Sequence, residues 1–127
     1  MTALPSILHV EDDPDIREIA RLALEVIGGL TVVQCETGTE ALTRAADIAP
    51  DLLLLDMTMP DMDGVETLTA LRALPGFGAM PAIFMTARAQ IQEHEALMAQ
   101  GANAVISKPF DAMTLADEIR VIWNALP

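Results

Sequence analysis

The sequence predicts an α/β protein: five parallel strands in one sheet, with five helices covering both faces. Three observations lead there. Short apolar runs alternate with stretches of about ten residues at helical spacing, which calls for right-handed crossovers between parallel strands. The run Leu52-Leu53-Leu54-Leu55 is apolar without alternation, as a central strand buried on both faces requires. Four of the runs lead directly into polar residues, Glu11-Asp12, Asp56, Thr86 and Lys108. Four strands would therefore deliver polar groups from their carboxyl ends, the edge at which open parallel sheets bind ligands.

The first strand is Ile7 to Val10. Asp13 caps a helix with Pro14 at its first position, and Ile16, Ile19, Ala20, Ala23 and Ile27 recur at helical spacing until Gly28-Gly29 stops it. Thr31 to Cys35, short and β-branched, is the second strand, and the helix Thr39 to Ile48 ends ahead of Pro50. The third strand runs from Asp51 to Asp56. A loop rich in Pro, Asp and Gly, Met57 to Gly64, leads to a helix from Val65 to Ala73 that Pro75-Gly76 breaks. Ala82 to Met85 is the fourth strand, Gln90 to Gln100 the fourth helix with Gly101 at its end, and Ala104 to Ser107 the fifth strand. Asp111 caps the last helix, whose Leu115, Ile119, Ile122 and Leu126 form the inward stripe while Asp117 and Glu118 face water.

A length of 127 residues fits one domain, 1–127, able to bury roughly two thirds of its unfolded surface. No linker, repeat or low-complexity segment divides it. Hydrophobic residues make up 52% of the chain, and no apolar run nears the roughly 18 residues of a membrane span, so a soluble globular protein is expected. Nineteen acidic against seven basic residues give a net charge of -12, which argues against direct binding to nucleic acid or anionic membrane. Met1 to Ser6 is neither basic nor signal-like, and the lone Cys35 fits a reducing compartment. A cytoplasmic location is expected.

An acid from Glu11-Asp12 and a second from Asp56, meeting at one sheet edge, would repel each other unless a hard cation sat between them. Magnesium suits this place, since it takes oxygen ligands and is usually held by one or two carboxylates plus a phosphate. Lys108, the only lysine beside six arginines, offers a flexible point charge, and Thr86 a hydroxyl; both suit phosphoryl oxygens. The chemistry implied is phosphoryl transfer. Asp56 is the best nucleophile, because carboxylates form aspartyl phosphates and because a carboxylate directly after four leucines would otherwise lose hydration for no gain.

At these residues the chain resembles the receiver domain of response regulators, the phosphoacceptor module of two-component signalling. The resemblance covers Ile7 to Asp13, Asp51 to Asp56, Met59-Pro60-Asp61-Met62-Asp63-Gly64, Pro81 to Ala87 and Lys108-Pro109-Phe110. The intervals of 44, 30 and 22 residues from Asp12 to Asp56 to Thr86 to Lys108 agree with the spacing in that family. It implies a flavodoxin-like sheet of order 2-1-3-4-5. It further implies that Asp56 takes a phosphoryl group from a phosphohistidine on a sensor histidine kinase or histidine phosphotransfer protein. Asp12, Asp56 and the backbone carbonyl of Thr58 would ligate Mg²⁺, with Glu11 helping through water. Lys108 would pair with the phosphoryl group, Thr86 would swing to hydrogen-bond it, and the Lys108-Pro109 bond would be cis.

A downstream protein target would read the switch, and the last two helices with the fifth strand would offer a face for a homodimer. Thr58 and Arg88, two residues past Asp56 and Thr86, would tune the phosphoryl lifetime. One departure stands out. The family commonly carries Tyr or Phe three residues before the lysine, where this chain has Val105, and the chain has no tyrosine. Switching is therefore expected to run through backbone and helix shifts rather than a Thr-aromatic rotamer change.

Other readings fit less well. Asp61-Met62-Asp63-Gly64-Val65 resembles the first motif of haloacid-dehalogenase phosphatases, which would make the chain a small Asp-based phosphatase, but Pro60 and a polar loop separate it from the preceding strand. Glu36-Thr37-Gly38-Thr39 is a poor flavodoxin phosphate loop, since it follows the second strand, and no Walker loop is present. A receiver fold that binds partners without being phosphorylated is the nearest rival; the intact acidic pair, Asp56, Thr86 and Lys108 weigh against it. His9 is expected to be packed or partly exposed in its strand and His94 solvated between Glu93 and Glu95, neither at metal-ligand spacing. Met57, Met59 and Met62 read as loop packing; Ile91, Leu97 and Met98, with Val105 and the last helix, could form a partner-binding face, but a plain core stripe explains most of them.

Overall fold

The computed structural model describes residues 5–87 and 90–126. Its strands are β1 (Ser6–Val10), β2 (Thr31–Cys35), β3 (Leu52–Asp56), β4 (Ala82–Thr86) and β5 (Ala104–Ser107). The helices are α1 (Pro14–Arg21, continued through Leu22–Ile27), α2 (Gly38–Ile48), α3 (Gly64–Arg72), α4 (Ile91–Ala99) and α5 (Leu115–Ala125). All strand pairs are parallel, in the order β2-β1-β3-β4-β5, so the flavodoxin-like sheet with five helices is what the chain builds.

The side-chain alternation of the strands divides the core in two. Leu8, Val10, Leu53, Leu55, Ala82 and Phe84 face α2 and α3 through Ala41, Ala45, Leu68 and Leu71. Ile7, Leu52, Leu54, Ile83, Met85 and Ile106 face α1 and α5 through Ala23, Leu24, Leu115, Ala116 and Ile119. This is why β3 reads as unbroken leucine: successive residues enter opposite cores, and all five of its residues are buried.

Three local expectations are corrected. The last turns of α1, Leu22–Ile27, are π-helical, with Gly28 N–H donating to the Ala23 carbonyl at 3.1 Å. The extra residue per turn rotates the helix phase. Ala23 and Leu24 stay in the core with Ala20, whereas Ile27, past the wide turn, is 47% exposed, as is Ile19 ahead of it. Asp111 does not cap α5 directly. Its side chain accepts from Met113 N–H at 2.8 Å and its carbonyl from Thr114 and Leu115 N–H, so it opens a turn that delivers the chain to Leu115. Finally, α4 buries no residue: Leu97 is half-buried, but Ile91 is 72% and Met98 43% exposed, which is no core stripe. Among the described residues no helix is long and apolar enough to cross a membrane.

Candidate functional site

The register of the sheet assembles the polar residues at one edge. Val10 pairs with Leu55, Asp56 with Met85, and Thr86 with Ser107, so Glu11, Asp56, Thr86 and Lys108 leave four adjacent strands at nearly the same level. Lys108 N–H donates to the Thr86 carbonyl at 2.7 Å, which ties the last two together. Glu11, Asp56 and Thr86 are buried, and Asp12 is exposed at the mouth.

The centre is an ion-paired triad. Lys108 Nζ donates to Glu11 Oε1 at 2.7 Å and to Asp56 Oδ1 at 2.8 Å. Burial pushes the Glu11 carboxyl up to about 7; the hydrogen bond from Lys108 opposes this and the charge of Asp56 adds to it. Burial acts to lower the Lys108 ammonium, but its hydrogen bonds to Asp56 and Glu11 outweigh that and hold it above the usual lysine range. One cation thus serves two buried acids.

Carboxylate oxygens of Glu11, Asp12 and Asp56 all lie within 4.8 Å of one another. Three acids so close, with one lysine among them, leave an excess of negative charge that a small divalent cation with oxygen ligands would neutralise. The donor set fits Mg²⁺, which would place its charge beside the Asp56 carboxylate.

The loop after β3 closes the site from the other side. Thr58 N–H donates to Asp56 Oδ1 at 3.4 Å, and Met57 N–H to the Met85 carbonyl at 3.0 Å. Gly64 starts α3 against this loop: a Cβ there would lie 2.8 Å from the Asp56 carbonyl and 2.9 Å from Met57 Sδ, so only glycine lets the helix approach. Asp63 caps α3 in a reciprocal box with Glu66, and Asp61 accepts from the Thr39 hydroxyl and N–H at 2.7 and 3.2 Å. Both acids of the phosphatase-like motif are thus occupied in holding helix ends. A cleft of about 530 Å³ opens beside Thr86, between Thr58, Met59 and Leu97.

The remaining predicted positions fall as follows. The Lys108-Pro109 bond is cis. Val105 is half-buried, paired with Phe84, and packs against the core on the α2–α3 side. Arg88 lies outside the described residues. His94, expected to be solvated, is half-buried, and its Nε2 lies 3.4 Å from Ser107 Oγ, linking α4 to β5. His9 is fully buried, and Met59 packs into the core while Met62 lies against Gly38.

Sequence reasoning passed over Arg17 and Gln34. Arg17 Nη1 donates to the carbonyls of both Glu11 and Asp12, at 2.8 and 3.1 Å. Gln34 donates from one amide nitrogen to the Arg17 carbonyl at 2.8 Å and meets His9 Nδ1 at 3.0 Å. A nitrogen donating to both makes Nδ1 an acceptor and puts the imidazole proton on Nε2, which has no partner among the described residues. Burial, then Lys108 and Arg17, lower His9 to about 3. One clue was available: a cation in the opening turns of a helix opposes the helix dipole and calls for another partner.

The response regulator receiver domain family matches residues 7–120. The chain belongs to that family. This receiver is 36% identical over 121 residues to an uncharacterized 14.6 kDa protein of Leptolyngbya boryana, covering 95% of this chain and 92% of that one. It is 37% identical over 118 residues to the KDP operon transcriptional regulatory protein KdpE of Escherichia coli, covering 93% of this chain but 51% of KdpE. Among solved structures, the chemotaxis response regulator CheY4 of Vibrio cholerae superposes with a TM-score of 0.85 at 27% identity, over 94% of this chain and 99% of that one. Receivers are phosphoacceptors of two-component systems that bind Mg²⁺ at an acidic pocket, and they work with histidine kinases or phosphotransfer proteins. The acidic cluster of this receiver is Glu11, Asp12 and Asp56.

Proposed function

We propose that this receiver accepts a phosphoryl group on Asp56 from the phosphohistidine of a sensor histidine kinase or phosphotransfer protein, hydrolyses it slowly, and thereby switches a protein-binding face. The observation that carries this reading is the buried Asp56 carboxylate, with two further carboxylates within 4.8 Å and the Lys108 ammonium 2.8 Å away. Asp56 Oδ1 is engaged by Lys108 and Thr58 N–H, which leaves Oδ2 to attack phosphorus as the P–N bond to the histidine breaks. The imidazole leaves with the bonding pair and takes up a proton. A bound Mg²⁺, held by Asp12, Asp56 and the Thr58 carbonyl with Glu11 assisting, supplies charge neutralisation of the phosphoryl oxygens. Lys108, freed from Asp56 Oδ1, pairs with one phosphoryl oxygen, and Thr86 donates its hydroxyl to another.

The domain acts as a unit in the cytoplasm, where the phosphohistidine donors are made. Thr58 and Arg88 set how readily water reaches the aspartyl phosphate. With Val105 in place of an aromatic, the shift at Thr86 is relayed by the backbone of β4 and by α4, and Pro109 fixes the turn that presents Lys108. The face read by a downstream target, or by a second copy in a homodimer, runs over α4, β5 and α5, where Ile91, Met98 and Val121 are exposed. The test is intact mass after incubation with acetyl phosphate, with and without Mg²⁺, for wild type and Asp56→Asn. A single Mg²⁺-dependent, hydroxylamine-labile adduct absent from the variant is expected. No adduct on a folded protein would reject the phosphoacceptor reading in favour of a module that binds without phosphorylation.

A further inference from the structure

We propose that Arg17 is a positioning residue for the acidic turn: by clamping the carbonyls of Glu11 and Asp12 it aims both carboxylates at a shared cation. The inference rests on the phosphoacceptor reading above. Arg17 sits near the start of α1, where the helix dipole disfavours a positive charge, so its placement needs a compensating partner. It finds two main-chain oxygens, Glu11 O at 2.8 Å and Asp12 O at 3.1 Å from the same Nη1, while Nη2 reaches Glu36 at 3.4 Å. A planar guanidinium can bridge neighbouring carbonyls in this way; an ammonium on a flexible stem holds them far less rigidly.

Pinning a carbonyl fixes the rotation of its peptide plane, and the two planes that Arg17 pins flank the Asp12 Cα; the plane before Glu11 is held by its N–H donating to the Cys35 carbonyl at 3.0 Å, so Arg17 completes the pair around Glu11 as well. This matters most for Asp12, which is exposed where Glu11 is buried. The arginine is itself held. Gln34 in β2 grips its carbonyl at 2.8 Å and spans to His9 in β1, so the clamp is built on two strands of the rigid sheet. Its role is orientation: the shift at Glu11 traces to burial, Lys108 and Asp56, with no contribution from Arg17.

The test is a calorimetric titration with Mg²⁺ alone, without phosphodonor, on the wild type and on Arg17→Met, Arg17→Lys and Glu36→Gln, each also followed by urea unfolding. Partners that orient metal ligands are typically worth about ten- to a hundredfold in affinity, and that loss is expected for Arg17→Met. Arg17→Lys should lose affinity by a smaller factor, and Glu36→Gln, which keeps the carbonyl clamp, should match the wild type. Excess Mg²⁺ should restore acetyl phosphate labelling of Arg17→Met. Unchanged affinity in folded Arg17→Met overturns the assignment. Should Arg17→Met fail to fold, unchanged affinity in Arg17→Lys overturns it instead. A loss in Glu36→Gln equal to that in Arg17→Met would place the effect on the ion pair and overturn it as well. A wild type that binds no Mg²⁺ refutes the phosphoacceptor reading itself, a result distinguishable from failure of the clamp alone.

Discussion

Two buried groups at the site titrate in opposite senses, and their opposition should be measurable as stability. His9 charges near pH 6.5 in an unfolded chain but only near 3 in the fold, so its contribution is whole above pH 6.5 and is lost as the pH falls toward 3. Glu11 ionises near 4.5 when unfolded and near 7 in the fold, so its contribution is whole below pH 4.5 and is lost as the pH rises to 7. At about 1.4 kcal/mol per pH unit, acidification from pH 7.5 to 5 should cost about 2 kcal/mol through His9 and return about 3 kcal/mol through Glu11. In the wild type the two nearly cancel. Glu11→Gln should therefore lose about 2 kcal/mol on acidification, and His9→Leu should gain about 3 kcal/mol. The assay is urea unfolding at both pH values in EDTA, so that no cation binds Glu11. With slopes of about 1–3 kcal/mol per molar urea, the two variants should diverge by more than about 1 M in midpoint. The carboxylates that do not touch Glu11 act equally in all three proteins and drop out of the comparison; Asp56 and Lys108, which do, keep their surroundings in His9→Leu, so that variant gives the sharper contrast with the wild type. Parallel pH profiles in wild type and both variants would refute the argument.

Lys108→Met leaves Glu11 and Asp56 buried without their cation, and a loss of about 3–5 kcal/mol is expected at pH 7.5. The loss should shrink at pH 5, where Glu11 takes up a proton, as urea midpoints at the two pH values would show. Gly64→Ala forces a Cβ to within 2.8 Å of the Asp56 carbonyl, so α3 must retreat. Lower thermal stability together with slower acetyl phosphate labelling is expected, read by calorimetry and intact mass. Ala49 ends α2 in the left-handed region at φ 48. Ala49→Gly relieves a strain of about 1–2 kcal/mol and gives back part of it as unfolded-chain entropy, leaving a gain of roughly 0.5–1 kcal/mol in chemical denaturation.

What was legible in the sequence is what local chemistry compels. A carboxylate after four leucines, or a lone lysine after a β-branched run, has no comfortable place unless other groups meet it, so Asp56 and Lys108 announced themselves. The run of β3 did likewise, because burial on both faces demands apolar residues at successive positions. The π-helical turns of α1 were hidden, since Leu22 to Ile27 offers apolar residues to either phase, and the close approach of Gly28 to Ala116 is a tertiary contact that no local pattern records. The Arg17 clamp was hidden too: its acceptors are backbone carbonyls, which every residue possesses and no side-chain pattern records. The exposure of Ile91 and Met98 was illegible for a related reason. An apolar residue at helical spacing reads the same whether it faces a core or a future partner.

The fastening of α4 has a mechanical consequence. At the far end of the helix, Arg72 Nη1 donates to the Gly101 carbonyl at 2.8 Å, and Gly101 turns the chain with φ 112, open only to glycine at low cost. Between the helix ends, beside the cleft at Thr86, half-buried Leu97 packs against the core and His94 Nε2 lies 3.4 Å from Ser107 Oγ. A swing of α4 about Gly101 would move its Ile91 end most and its Ala99 end least. With none of its residues fully buried, such a swing would draw only half-buried side chains such as Leu97 away from their neighbours, which keeps its cost low.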